Sequence, residues 1–506
     1  MKHILYKFIA GSFIIANAVS CVDLNQEPNS FLTEEAYIEY PKDVESVTRS
    51  ISGLYNQLRG TNDKGLHDNY GFNCRLQRLN ISADDITYSP TKANNPLGTL
   101  ESLTPSITGN DPDFQTTWTL FFKVINNSNK IIEGTPITDN EKEKLQEVIA
   151  EAYFLRGLSY FYLVRLYGDL PLVLTKDDLQ LTMQRSSVSD IYDKAIIPSL
   201  KKAAEWLPST SRSGDNSTPS KWAAKACLAE AYMTMAGWPL NKGKEYYSLA
   251  TTELESIIDE SGLDLENEYK DLWKEDLKTS TKEHMFSIHH SVKSKTASNY
   301  GKSYYPADFY PKAGWADYYA NESFYLKYPN DKRKAWNYMT EWEIAKNQII
   351  NYKKSKDGLP AISKYYDYNE GVPGNSQLSN GITCIYRFAD VLLMYAEAST
   401  RATQTVNTKA INSINRVQKR AGYIENNINL TNTTNPEEFL QDVFNERGWE
   451  FFAEMKRWFD LVRLEKVSEV KPTEWAGSTF KNNNHYYFPI PYQQINLTGW
   501  TNNPGY

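Results

Sequence analysis

Three glutamates, Glu446, Glu450 and Glu454, fall four residues apart in "ERGWEFFAEMKRWFDLVR" and would share one stripe of a helix. Paired carboxylates can hydrolyse glycosides, but only where they flank a cleft at a set separation. Arg447, Lys456, Arg457 and Arg463 stand in the same stretch, so the pattern predicts an ion-paired structural helix in preference to a catalytic pair. His284, His289 and His290 cluster without an HExxH pattern or a cysteine partner, which argues against zinc. The cysteines, Cys21, Cys74, Cys227 and Cys384, are widely spaced and form no CxxC. Cys227 and Cys384 sit in apolar helical text and are expected to pack as buried thiols. No nucleophile elbow, phosphate loop or dinucleotide fingerprint stands in a suitable context.

A second kind of chemistry is binding. Residues 300–319 read "YGKSYYPADFYPKAGWADYY", eight aromatics in twenty residues where the chain's 13% would give two or three. Pro306, Pro311 and Gly314 interrupt the run, so neither a helix nor a strand is expected there. Two explanations are open: the rings form the lid of a core, or they form a surface for something flat and polar. The chain as a whole holds 35 tyrosines and 12 tryptophans against 20 phenylalanines. Rings with a polar handle suit wet interfaces better than dry interiors.

These residues need elements to position them. The 506 residues suffice for a large core, and the formal charge of −7 comes with no basic run that would mark a nucleic-acid binder. Lys2 and Lys7 followed by the apolar stretch Phe8 to Val19 make residues 1–20 a secretory signal. This stretch of twelve residues falls short of the about 20 that a bilayer core requires. Cys21 follows Ala18-Val19-Ser20 as in a lipobox, where the cysteine thiol is lipidated.

After a polar tether over 21–42, apolar residues at 44, 47, 51, 54, 55 and 58 predict a helix with Asp43 as N-cap and Gly60 as stop. Residues 61–115 are irregular, a length usually reserved for functional loops. Helices then dominate to about residue 270. "SKWAAKACLAEAYMTMAG" and "KEYYSLATTELESIIDESG" make a helical hairpin, and "IAEAYF" (149–154) recurs as "LAEAYM" (228–233) 79 residues later. That recurrence and the alanine pattern favour stacked tetratricopeptide-like (TPR-like) hairpins. Residues 271–381 turn irregular and aromatic-rich, and helical pairing resumes over 382–506 before an irregular tail. "PEEFLQDVFNERGWEFFAEMKRWFDLVRLE" reads as one further helix.

With these motifs in order, the chain resembles the SusD/RagB family of Bacteroidetes surface lipoproteins. The resemblance runs from "CVDLNQEP" through "AEAYFLRGLSYFYLVRLYGDLPLV", "YRFADVLLMYAEA", "INRVQKRAG" and "ERGWEFFAEMKRWFDLVR" to "YYFPIPYQQINLTGWTNNPGY". It implies a mainly α fold, a TPR-like hairpin scaffold carrying an irregular, loop-rich ligand-binding part. It also implies a non-catalytic protein without cofactor or metal, held on the outer face of the outer membrane by lipid at Cys21. Such a protein would capture glycan, or in some members peptide, for a SusC-like TonB-dependent barrel; a tethered TPR scaffold for protein assembly is a further alternative.

The family's contacts come from variable loops, so no residue carries over by motif, and candidates follow from chemistry. Of the two such loops, 61–115 and about 282–342, the second offers Tyr304, Tyr305, Tyr310, Trp315 and Tyr318, beside Lys312 and Asp317. The first offers Tyr70 and Asp68.

Overall fold

The computed structural model describes residues 43–60, 72, 76–91, 101, 108–175, 177–178, 180, 182–299, 302–370, 378–471 and 483–506. Cys21, Asp68, Tyr70 and Cys74 lie outside the described residues. The first helix, α1 (Val44–Arg59), begins and ends as its sequence predicts. Asp43 accepts a hydrogen bond from the Ser46 N–H, and Gly60 closes the helix at φ +70°. Helix α2 (Pro112–Gly134) starts inside the stretch expected to be loop, because Asp111 caps it and Pro112 suits its first turn.

Helices α2, α3 (Lys142–Tyr167), α4 (Ile197–Trp206), α5 (Lys221–Ala236) and α6 (Lys244–Glu260) pack each on the next, with α1 laid across α2 and α3. The next layer after α6 is α7 (Phe388–Thr403), which packs in turn on α8 (Thr408–Arg420) and α9 (Pro436–Glu450). The stack is therefore continuous in space, while residues 261–387 leave it and return. Strand β2 (His284–His290) pairs antiparallel with β6 (Gly381–Arg387) near the two ends of that excursion and forms its neck. Gly381 is required there: its φ is +108°, and a Cβ would come within 2.2 Å of the Tyr368 ring.

Close helix packing follows from the alanines. Ala223, Ala224, Ala226, Ala229 and Ala231 of α5 are all fully buried, which lets α4 and α6 approach on either side. The recurring Ala-Glu-Ala word has a structural purpose, and a third copy at 396–398 shares it. Each central glutamate carries a positive partner from another element: Arg212 on Glu151, Arg165 on Glu230 and Arg463 on Glu397. A carboxylate removed from water needs such a partner. Arg463 is chief among the cations that overcome burial and hold the Glu397 carboxyl down at about 2.

The long C-terminal helix expected from sequence is in fact two, α9 and α10 (Arg457–Arg463), broken at residues 451–456. No glycine or proline breaks it. Tertiary partners capture the backbone instead: the Ala453 N–H donates to Asp85, the Tyr365 hydroxyl donates to the Ala453 carbonyl, and Lys364 donates to the Phe452 carbonyl. Ala453 and Met455 pay for this with positive φ values of 57° and 62°.

The turn also returns Glu454 to the glutamate stripe. Arg387 joins Glu283 at 2.8 Å, Glu454 at 2.8 Å and Glu450; Arg420 joins Glu283 at 2.9 Å and Glu450. Arg333 joins Asp331, Glu446 and Glu450 at 2.7, 2.6 and 2.8 Å, and Lys364 joins Glu454 at 2.7 Å. Ion pairing holds as predicted, but these partners come from the excursion and from other helices. The local cations look elsewhere: Arg447 to Asp460, Arg457 to Asp84, Lys456 to Asp390. The knot thus ties the excursion to the C-terminal helices.

Candidate functional site

The aromatic stretch folds into a narrow finger. A short 3-10 turn, Lys302–Tyr304, leads out, and the returning chain runs back alongside it. Gly314 donates to the Pro306 carbonyl at 2.9 Å, Ala316 to Tyr305 at 3.0 Å and Asp317 to Ser303 at 3.0 Å. The two limbs touch so closely that a Cβ on Gly314 would sit 2.1 Å from the Tyr305 carbonyl oxygen. This geometry sorts the rings into two groups.

Tyr304, Tyr305 and Tyr318 face inward and are 0–2% exposed. Tyr304 packs on Tyr318 and Tyr365 with centroids 5.3 and 5.2 Å apart. Tyr305 packs on Phe309 and Tyr366, and its hydroxyl donates to the Tyr366 carbonyl at 2.7 Å. These three rings offer no face to solvent, since burying such apolar area holds the finger to the body. Tyr310, at the tip, is 43% exposed, and Trp315 is half-buried beside the half-buried Lys312 and Asp317.

Beneath the finger lies a small core of its own, formed by Ala316, Tyr319, Trp342, Tyr352 and Ala361 with Phe309 and Ile350 against it. Trp342 sits on the hairpin β4 (Glu341–Ala345)–β5 (Gln348–Asn351), and its indole N–H donates to Asp308 at 2.9 Å. The Tyr310 N–H donates to the Glu343 carbonyl at 2.8 Å, so finger and hairpin share one edge. Trp342 marked the end of the expected binding region, yet its role as a support was not legible, because the partner Asp308 lies 34 residues away.

The two irregular regions meet here. Strand β1 (Ile86–Tyr88), from the first, pairs antiparallel with β3 (Tyr318–Ala320), which leaves the finger, in the register Ile86↔Ala320 to Tyr88↔Tyr318. The Asn321 N–H also donates to the Asp85 carbonyl. Burial raises the Asp85 carboxyl to about 6 despite the hydrogen bond from Ala453.

The other chemical candidates are sealed. Glu446, Glu450 and Glu454 are at most 4% exposed. Burial alone would raise the Glu450 carboxyl, but Arg420, Arg387 and Arg333 outweigh it and hold it well below the carboxylate range. All three histidines lie on β2, where burial depresses His284 and His290 to about 3 and His289 to about 4. His289 Nε2 lies 2.7 Å from Asn216 Oδ1, and His290 Nε2 3.0 Å from Thr383 Oγ1. Cys227 and Cys384 are buried as expected, their thiols pushed up to about 12 by desolvation. Two recesses of about 310 and 240 Å³ open at helix seams near Trp238 and near Tyr162, sharing no residue with the finger.

A stack of helical hairpins that carries a looped-out aromatic platform defines a class of protein in which helical scaffold and aromatic platform are separate parts. Two family models match it, one described as the SusD family over residues 334–506 and one described as starch-binding associating with outer membrane over residues 30–233. The chain belongs to the SusD/RagB family. It is 26% identical over 526 residues to the SusD-like protein P2 of Formosa agariphila, covering 97% of this chain and 98% of that one. A SusD homologue from Bacteroides thetaiotaomicron superimposes with a TM-score of 0.80 at 22% identity over 94% of this chain and 99% of that one. A laminarin-binding SusD-like protein does so with a TM-score of 0.75 at 20% identity over 92% and 100%.

Proposed function

We propose that this protein binds an oligo- or polysaccharide on the finger and delivers it, unaltered, to a SusC-like TonB-dependent barrel. Lipid on Cys21 would hold it to the outer leaflet of the outer membrane with the finger facing the medium. The observation that carries the reading is the sorting of the aromatic stretch: Tyr310 is exposed and Trp315 half-buried on a platform of buried rings that also receives the first irregular region. A pyranose presents a C–H face that suits an aromatic ring, which has little conformational freedom to lose, and the neighbouring Lys312 and Asp317 can read hydroxyls. The description of the family model and the laminarin-binding relative support glycan as the class of ligand.

Capture for import needs only reversible holding, for which a Kd between micromolar and millimolar, roughly −8 to −4 kcal/mol, suffices. Affinity electrophoresis on a polysaccharide panel, with a peptide panel in calorimetry alongside, tests this with wild type, Tyr310→Ala and Trp315→Ala. Retention by wild type that both substitutions weaken is the expected result. Retention that neither changes removes the finger as the site. Binding of peptide alone would replace the ligand class.

A further inference from the structure

Asp357 lies in the turn that follows the 3-10 segment Tyr352–Lys354, where Gly358 takes φ +69°. Its carboxylate gathers three hydroxyl donors from two separate parts of the chain. Oδ1 accepts from Ser89 Oγ and from Thr91 Oγ1, each at 2.6 Å, and Oδ2 accepts from the Tyr319 hydroxyl at 2.7 Å. Tyr319 is 2% exposed and belongs to the small core beneath Tyr310 and Trp315. Ser89 and Thr91 belong to the first irregular region. The backbone ladder between the two regions ends at Tyr88↔Tyr318. Beyond it, hydrogen bonds to Asp357 take over the hold on the chain. Thr91 is exposed and Asp357 half-buried, so the junction stands at the surface. Burial opposes ionisation of Asp357, but the bonds from Ser89, Thr91 and Tyr319 outweigh it and keep the carboxyl below its usual range.

The geometry points to Asp357 as a positioning residue that clamps residues 89–91 of the first region to the platform of the finger, and so sets the affinity for glycans long enough to engage both. This rests on the glycan reading above. Asp357 touches no glycan itself; it acts through Ser89, Thr91 and Tyr319. The glycans it governs are extended chains that reach past Tyr310 and Trp315 to residues 89–91.

The test uses the full chain as wild type, Asp357→Ala, Asp357→Asn and Tyr319→Phe. Hydrogen exchange read by mass spectrometry should rise about tenfold over residues 86–91 and over 305–316 in Asp357→Ala, while 221–236 in α5 is unmoved. Asp357→Asn, which keeps one carbonyl acceptor, should fall between, and so should Tyr319→Phe. Faster exchange at 86–91 with 305–316 unmoved, or no change at either, overturns the clamp. In gels and calorimetry with laminarin and laminaritriose as probes, Asp357→Ala should weaken the polymer about tenfold and the trisaccharide less than about twofold. Equal losses at both lengths would mean general loosening and would overturn the positioning role. If wild type binds neither probe, laminarin fails as the ligand, and hydrogen exchange alone decides the clamp.

Discussion

The glutamate stripe of 446–454 and the tyrosine run of 300–319 look equally chemical in the sequence, and the folded chain treats them oppositely. Every carboxylate of the stripe is enclosed and matched by guanidinium or ammonium groups from distant segments. The tyrosine run is divided, with Tyr304, Tyr305 and Tyr318 inward and Tyr310 outward. The difference lies in what each must satisfy. A buried charge costs several kcal/mol without a partner, so the stripe had to be closed on all sides. A ring costs little on either side of a surface, so the run can both anchor and display.

The largest way to break that contrast is to open the knot. Arg387→Ala would leave Glu283, Glu450 and Glu454 short of a cation inside the protein. A loss of about 3–5 kcal/mol in urea unfolding is expected. Because the knot holds the excursion to the helices, the loss should appear as one cooperative step. A variant as stable as wild type would show that the enclosed charges are dispensable.

Acid probes the same enclosure. His284, His289 and His290 take up protons in the unfolded chain near 6.5 but in the folded one only at about 3 to 4. Between those limits the unfolded state binds more protons, so stability must fall as pH drops below 6.5, by on the order of 1–2 kcal/mol per histidine at pH 5. Asp85, raised to about 6, works the other way over part of that window and offsets some of the loss. Glu397, held at about 2 in the folded chain, stays ionised across this window; its stabilisation is lost only as pH falls from about 4.5 towards 2, so it adds little to the early decline. Urea midpoints between pH 7.5 and 5 check this; a flat profile contradicts the sealing of β2. Glycan retention by the folded fraction should stay level from pH 8 to 6.5.

The finger's own geometry gives a smaller effect. Gly314→Ala places a methyl against the Tyr305 carbonyl and must spread the two limbs. Overpacking of this kind costs about 1–3 kcal/mol. It should also displace Tyr310 and weaken glycan retention, whereas α5 and α6 keep their hydrogen-exchange protection.

The scaffold was legible because its information is local. Apolar spacing, Asp43, Gly60 and the alanines of α5 each act within a few residues, and helices follow from them. The Ala-Glu-Ala recurrence was visible twice; its third copy, around Glu397, was present in the same letters but escaped notice without the pairing to Arg463 that explains it. What stayed hidden was set by distant partners. β1 has three residues, and its mate lies more than 200 residues on. The break at 451–456 carries no glycine or proline, since Asp85, Tyr365 and Lys364 impose it. For the same reason the stretch 300–319 could be marked as unusual without revealing which rings turn in. Composition counts rings, whereas their direction depends on limb-to-limb hydrogen bonds and on Tyr365 and Tyr366, supplied from elsewhere.

The finest division of the finger is between neighbouring tyrosines that differ only in direction. Tyr305→Phe removes a hydroxyl whose one described acceptor is the Tyr366 carbonyl, and leaves the ring packed against Phe309 and Tyr366. The lost hydrogen bond should cost about 0.5–1.5 kcal/mol in unfolding and leave glycan affinity alone. Tyr310→Phe removes a hydroxyl at the exposed tip, where water takes its place in the folded and unfolded states alike. Stability should move by less than about 0.5 kcal/mol, and the stacking face survives. Any change in Kd then reports a hydroxyl-to-sugar hydrogen bond and nothing else. If Tyr305→Phe weakened glycan binding while Tyr310→Phe did not, the inward ring would be the reader and the division of the finger would be reversed.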